Sequence, residues 1–222
     1  VKRGDIPAVN RILAVEYRRH KAPIVELTRA RTNSPFKILL ATILSSRTRD
    51  ETTSQVCDRL FRTVDTPADL ERMTVAQIEK LIYPIGFYRT KAQQFKELPT
   101  VLRTRFGGRI PDTIDGLCEL PGVGRKVANL VVAVAFDKPA VCVDVHVHRI
   151  CNRLGLLKTG SPFETEMALR RILPRRYWIT WNSYLVSYGQ TVCRPLNPLC
   201  NGCRIYRWCS RIGVRTRHNP VR

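Results

Sequence analysis

The amino-acid sequence predicts an all-α protein. Three observations carry that expectation. Apolar residues recur at helical spacing almost from end to end, several helix starts are marked by capping residues, and no segment alternates convincingly like a half-buried strand.

Asp5 and Pro7 open an amphipathic stretch that runs to Arg19. Ser34-Pro35, an N-cap followed by proline at the first helical position, leads into Phe36–Leu44. Asp50 precedes a helix reaching Leu60 and Phe61, and Thr74 with Gln77 has capping-box spacing ahead of Ile78–Ile82. Tyr88–Phe106 is periodic but holds Pro99, where a kink is expected, and Gly107-Gly108 ends it. Asp112 starts a short helix to Cys118. Gly124–Phe136 is a longer helix, and its Leu130–Phe136 portion is the longest apolar run. Asp144 is placed to cap Val145–Leu154, and Ser161-Pro162-Phe163-Glu164 has the form of a second capping box before Met167–Leu173. Trp181–Tyr188 precedes a cysteine-rich segment. Ala140–Val145 alternates weakly and fits a buried connection better than a strand. Residues 216–222 are expected to fray.

A chain of 222 residues holds one large domain or two small ones. Lys and Arg number 38 against 18 Asp and Glu, a formal net charge of +20, which suits a polyanionic partner. No apolar run approaches the roughly 18 residues of a membrane span, and neither a basic amphipathic helix nor a lipidation signal is found, so no membrane partner is expected. The sequence starts at Val1 rather than Met, so its opening residues say nothing about targeting. Of eight cysteines, Cys57, Cys118, Cys142 and Cys151 stand singly among apolar residues and read as packing residues. The other four crowd together near the C-terminus. That distribution fits a reducing compartment better than a disulfide framework.

Leu120-Pro121-Gly122-Val123-Gly124-Arg125-Lys126 lies between two helical segments. Its glycines let the backbone turn sharply, and the helix that follows offers unpaired N–H groups and the positive end of its dipole to an anion. On DNA such a site holds a backbone phosphate without reading sequence. Cys193, Cys200, Cys203 and Cys209 have the spacing C-x6-C-x2-C-x5-C, which leaves zinc and an iron–sulfur cluster both open.

LPGVGRKVAN at Leu120–Asn129, with an aspartate eighteen residues after its lysine in VDVHVHRICNR, resembles the helix–hairpin–helix DNA glycosylases. The resemblance is to the endonuclease III branch and runs from about Pro35 to Cys209. It implies two helical lobes flanking a DNA-binding cleft: a helical barrel of residues 28–138, and a second domain joining 1–27 to 139–222. It implies Lys126 as nucleophile and Asp144 as its essential partner across the cleft. It implies a 4Fe–4S cluster, mainly structural, on the four C-terminal cysteines. Gly122, Val123, Gly124 and Arg125 become DNA contacts, with His146 in support, whereas His148 reads as structural or surface. The family's wedge residue corresponds to Phe87 in Ile85-Gly86-Phe87-Tyr88, where a core phenylalanine is the competing reading. A second gap-filling segment corresponds to Leu44–Asp50, with Ser45 and Arg47 as contacts. There Arg47 stands where the family has glutamine, which unsettles the preference for the opposite base.

The residue types suit the implied chemistry. A primary amine attacks C1′ of the damaged nucleoside, forms a Schiff base and so acidifies the C2′ hydrogen for β-elimination. An amine attacks only when unprotonated, and Arg125 and the helix start both oppose a positive charge at Lys126. Asp144 can stabilise the cationic sugar or serve simply as a helix cap. The implied partner is double-stranded DNA with a damaged base or abasic site, bound by a monomer, and the implied substrates are oxidised or ring-saturated pyrimidines. In a prokaryote the protein is expected in the cytoplasm at the nucleoid, in a eukaryote in the nucleus or mitochondrion. A glycosylase for uracil, thymine or adenine and a non-catalytic, metal-stabilised DNA-binding module are the alternatives. A metal-dependent nuclease lacks an obvious carboxylate cluster.

Overall fold

A computed structural model describes residues 2–19, 28 and 32–214, and the expectation of a frayed end at 216–222 lies outside them. Among the described residues every regular element is helical. In chain order the α-helices are Ile6–Arg18 (α1), Pro35–Ser45 (α2), Asp50–Leu60 (α3), Pro67–Arg72 (α4), Val75–Ile82 (α5), Tyr88–Phe106 (α6), Ile114–Cys118 (α7), Arg125–Phe136 (α8), Val145–Arg153 (α9), Pro162–Ile172 (α10) and Trp178–Thr191 (α11). No described helix is long and apolar enough to cross a membrane.

The chain divides into two compact units, Pro23–Ala140 and Val1–Ala22 with Val141–Arg222. In the first, α2 is apolar nearly all round and buries Phe36 and every residue from Ile38 to Leu44, as a helix enclosed on all sides must. It packs on α8, where Ile38 meets Val134, while α6 carries α4 and α5 against its side. In the second unit, Ile6, Val9 and Leu13 of α1 share a core with Trp181, Leu185 and Tyr188 of α11, Val147 and Ile150 of α9, and Leu169 of α10.

Local chemistry sets the helix starts, sometimes through residues other than those expected. Ser34 accepts the Lys37 N–H and Thr74 with Gln77 forms the full capping box. Asp50 is the first residue of α3 rather than its cap, which is Arg49. α7 is capped by Thr113, whose hydroxyl accepts the Gly116 N–H, because Asp112 pairs instead with Lys138. Ser161 caps α10, but the Glu164 carboxylate reaches back to the Gly160 N–H at 2.9 Å rather than to that of Ser161. α6 runs unbroken through buried Pro99. The short α4 was not expected, although Thr66-Pro67 with Asp69 forms a local capping box. Cys57, Cys142 and Cys151 are buried, but Cys118 is exposed, because α7 turns only Leu117 inward.

Candidate functional site

The glycine hairpin is a tight turn closed by the Val123 N–H on Leu120 O at 3.1 Å. Pro121 is its second residue and Gly122, at φ 75°, its third, the arrangement of a type II turn. Any side chain at Gly122 would strike the Gln94 carboxamide of α6. Val123 is buried and anchors the turn, whereas Gly124, the N-cap of α8, has no side chain to cap with. The helix's own ladder begins at Ala128 N–H on Gly124 O. Arg125 and Lys126 thus occupy the first turn, where backbone amides lie outside the ladder, and Lys126 is exposed.

In the same unit, Arg47 and Phe87 are both exposed and both left-handed, at φ 56° and 60°. The Arg47 guanidinium lies over the Phe87 ring, 5.1 Å from its centroid. Phe87 is 60% exposed, so it is not a core residue. Ser45 turns its hydroxyl back onto Thr42 O at 2.9 Å.

Asp144 and His146 belong to the other unit. Asp144 is half-buried at the N-cap of α9, where Oδ1 accepts the N–H groups of His146 and Val147, each at 2.9 Å. His146 Nδ1 lies 3.0 Å from Arg149 Nη2, and its ring packs on Gly189, where an added Cβ would fall 2.5 Å from Nδ1. His148 instead bonds Thr165 Oγ1 at 2.7 Å, a tie within the fold.

The four C-terminal cysteines line one recess, together with Ile150, Leu154 and Leu199. Donors point at their sulfurs: Tyr188 Oη to Cys203 at 3.2 Å, Arg211 N–H to Cys209 at 3.4 Å and Arg153 Nη1 to Cys193 at 3.5 Å. Burial foremost, with the neighbouring cysteines adding to it, raises the pKa of Cys200, Cys203 and Cys209, so any metal they hold must displace their protons. Among the described residues no three His, Cys, Asp or Glu side chains converge on a single-ion site.

The structure thus groups the hairpin, Lys126, Ser45, Arg47 and Phe87 in one unit, and Asp144, His146 and the cysteines in the other. It adds residues that the sequence did not single out. On α6, Lys91 donates to Leu44 O and Ser46 O, and the Gln94 carboxamide lies against Gly122 of the hairpin. Arg149 and Arg153, one helical turn apart on α9, bond Cys193 O (2.8 Å), Arg194 O (2.7 Å) and Pro195 O (2.8 Å). Their i, i+4 spacing was the available signal.

The HhH-GPD superfamily of base excision DNA repair proteins matches over residues 40–175. An endonuclease III of Thermotoga maritima is 45% identical over 189 residues, spanning 82% of this chain and 89% of its own. A solved non-covalent endonuclease III–DNA complex superposes with a TM-score of 0.85 at 32% identity, covering 95% of this chain and 96% of that one. A trapped endonuclease III–DNA covalent intermediate, an estranged-adenine complex, gives 0.77 at 36% identity and covers 80% and 84%. Fold and matches together define the class, an all-helical base-excision repair protein. The chain belongs to the HhH-GPD superfamily, in its endonuclease III branch, and is an enzyme of the DNA glycosylase/AP lyase kind.

Proposed function

We propose that this enzyme removes oxidised or ring-saturated pyrimidines from duplex DNA with Lys126 as nucleophile, then cuts the strand 3′ to the vacated site. The Lys126 amine attacks C1′, and the base departs with the electrons of its glycosidic bond. The C1′–O4′ bond then opens, O4′ taking up a proton as the nitrogen loses one, and the resulting Schiff base acidifies C2′. Loss of a C2′ proton drives out the 3′ phosphate by β-elimination, and water then frees the lysine. The carrying observation is the exposed Lys126 in the first turn of α8, directly after a hairpin suited to a phosphate. A covalent DNA intermediate of an endonuclease III at 36% identity supports the same reading.

Asp144 supplies negative charge to the cationic sugar, its Oδ1 held in place by two backbone N–H bonds. Gly122 to Arg125 hold a phosphate, with His146 as a supporting contact. Phe87 and Arg47 fill the gap left by the extruded nucleotide, Phe87 by stacking and Arg47 by donating to the unpaired base. A guanidinium selects the paired acceptors of guanine, so guanine is the favoured opposite base. In this reading Pro23–Ala140 is the helical barrel and the other unit the cluster domain, and the enzyme works as a monomer on double-stranded DNA.

Cys193, Cys200, Cys203 and Cys209 would hold a 4Fe–4S cluster, which ties the 194–199 loop in place. A zinc ion needs four sulfurs about 2.3 Å from one point, whereas a four-iron cube takes one thiolate at each separate corner. Four cysteines around one recess, with hydrogen-bond donors aimed at sulfur, fit the cube.

The deciding experiment is borohydride trapping on duplex DNA with one thymine glycol, comparing wild type with Lys126→Gln. An adduct with wild type alone is expected. An adduct only on abasic DNA keeps the lysine chemistry and moves the substrate to uracil, thymine or adenine. No adduct on either abandons the Schiff base for a monofunctional glycosylase or a non-catalytic DNA-binding module.

A further inference from the structure

Lys91 is a lysine where the fold has little room for charge. It sits in the first turn of α6 and is 5% exposed. Its Nζ donates to Ser46 O at 2.8 Å and Leu44 O at 3.2 Å, both at the C-terminal end of α2. A cation is favourable at that end of a helix, whose last carbonyls lack partners in the ladder. The backbone N–H of the same residue donates to Phe87 O at 3.0 Å. Lys91 therefore grips the residue before Arg47 with its side chain and Phe87 with its main chain.

A second tie runs alongside. Gly86 N–H donates to Thr48 Oγ1 at 3.1 Å, and a Cβ at Gly86 would fall 2.6 Å from Arg47 O, so the two turns touch backbone to backbone. Held this way, Arg47 and Phe87 stack although each has the left-handed backbone that a side chain disfavours. Burial pulls the Lys91 pKa down to about 8, a mark of how little water reaches the ammonium. A methionine of similar length would fill the same space at less cost, so what the ammonium adds is two directed bonds.

We infer that Lys91 is a positioning residue that locks the Ser46–Thr48 turn to the Gly86–Phe87 turn, so that Arg47 and Phe87 are presented to DNA as one rigid stacked pair. The DNA half of this statement rests on the proposed role of that pair, whereas the coupling itself does not.

The test places a fluorinated phenylalanine at position 87 of the full chain and compares wild type with Lys91→Met, Lys91→Arg and Arg47→Ala. In wild type the stacked guanidinium displaces the fluorine resonance from its position in Arg47→Ala. Lys91→Met is expected to move the resonance to the Arg47→Ala position and Lys91→Arg to return it. In parallel, borohydride trapping is run on abasic DNA, single-stranded and duplex. Loss of two charge-assisted bonds predicts about tenfold less trapping by Lys91→Met on duplex, where a stack must be opened, with single-strand trapping little changed. An unmoved resonance, or equal losses on both substrates, overturns the proposal. Should Lys91→Met fail to fold, Lys91→Leu, which removes both bonds while keeping an apolar side chain in the same space, is read the same way. No trapping by wild type on either substrate would overturn the proposed function instead, and the fluorine comparison would still decide Lys91.

Discussion

The Asp144 carboxylate holds the N–H of Val147 at 2.9 Å and with the same oxygen that of His146, so the candidate catalytic carboxylate is also the cap of α9. The two roles separate by substitution, because asparagine caps a helix about as well as aspartate whereas alanine costs about 1 kcal/mol. Asp144→Asn is therefore expected to melt within a degree or two of wild type and to bind abasic DNA as tightly. Its base removal should fall by roughly a hundredfold or more, the usual scale for lost electrostatic assistance. Asp144→Ala should add a clear drop in melting temperature. Equal losses of binding and base removal in the asparagine variant would leave Asp144 a cap alone.

Gly189 lies inside α11 against the His146 ring. Alanine inside a helix is ordinarily worth up to about 1 kcal/mol over glycine. Here its Cβ would meet His146 at 2.5 Å, and Gly189 O is also an acceptor of the Arg149 guanidinium, at 3.2 Å. Gly189→Ala is thus expected to lower the melting temperature despite the better propensity, and to slow base removal by shifting the first turn of α9. A stabilised variant with normal turnover would show that His146 yields freely.

How far these features were legible follows from how local they are. Ser34, Thr74 with Gln77 and Asp144 act within three residues of themselves, and the sequence places them correctly. The Leu120–Lys126 hairpin is legible for the same reason, since proline and glycine dictate the turn wherever it occurs. α4 escaped because six residues give periodicity too little length, though its Thr66–Asp69 box is local. Lys91 could not be read from pattern. Its acceptors are 45 and 47 residues away in the chain, and a lysine in a helix normally points outward. Phe87 kept two readings because an aromatic residue at a helix start looks the same buried or exposed, and only its 60% exposure separates them.

Tyr188 and Cys203 give a prediction for the cysteine recess. The phenol is buried, and burial with the adjacent sulfur pushes its pKa upward, so it remains a donor to Cys203 at 3.2 Å. Hydrogen bonds to sulfur make an iron–sulfur cluster easier to reduce. Tyr188→Phe is expected to lower the reduction potential measured on the iron-loaded protein while four iron and four sulfide per chain remain. An unchanged potential would mean that the bond is lost when the cluster binds. Removing the iron should lower the melting temperature of wild type, because the proposed cluster would tie a loop to the fold.

Lys91 makes stability depend on pH in a direction that can be worked out. Its pKa is lowered from 10.5 to about 8 by burial, while in the unfolded chain it keeps its ordinary value. Below pH 8 the ammonium is charged in both states, and the burial penalty is fully present. Between pH 8 and 10.5 the unfolded chain binds the extra proton, so stability rises with pH, each unit of pKa depression being worth about 1.4 kcal/mol. Above that range no penalty remains. Lys91→Met lacks this titration but shares every other one, so the difference between the two proteins isolates it. Denaturant melts at pH 7, 8.5 and 10 are expected to show wild type gaining on the methionine variant at each step. A constant difference would mean that Lys91 keeps its ordinary pKa. A difference moving the other way would mean that Leu44 O and Ser46 O stabilise the charged form more than burial penalises it, which would make the clamp stronger at neutral pH.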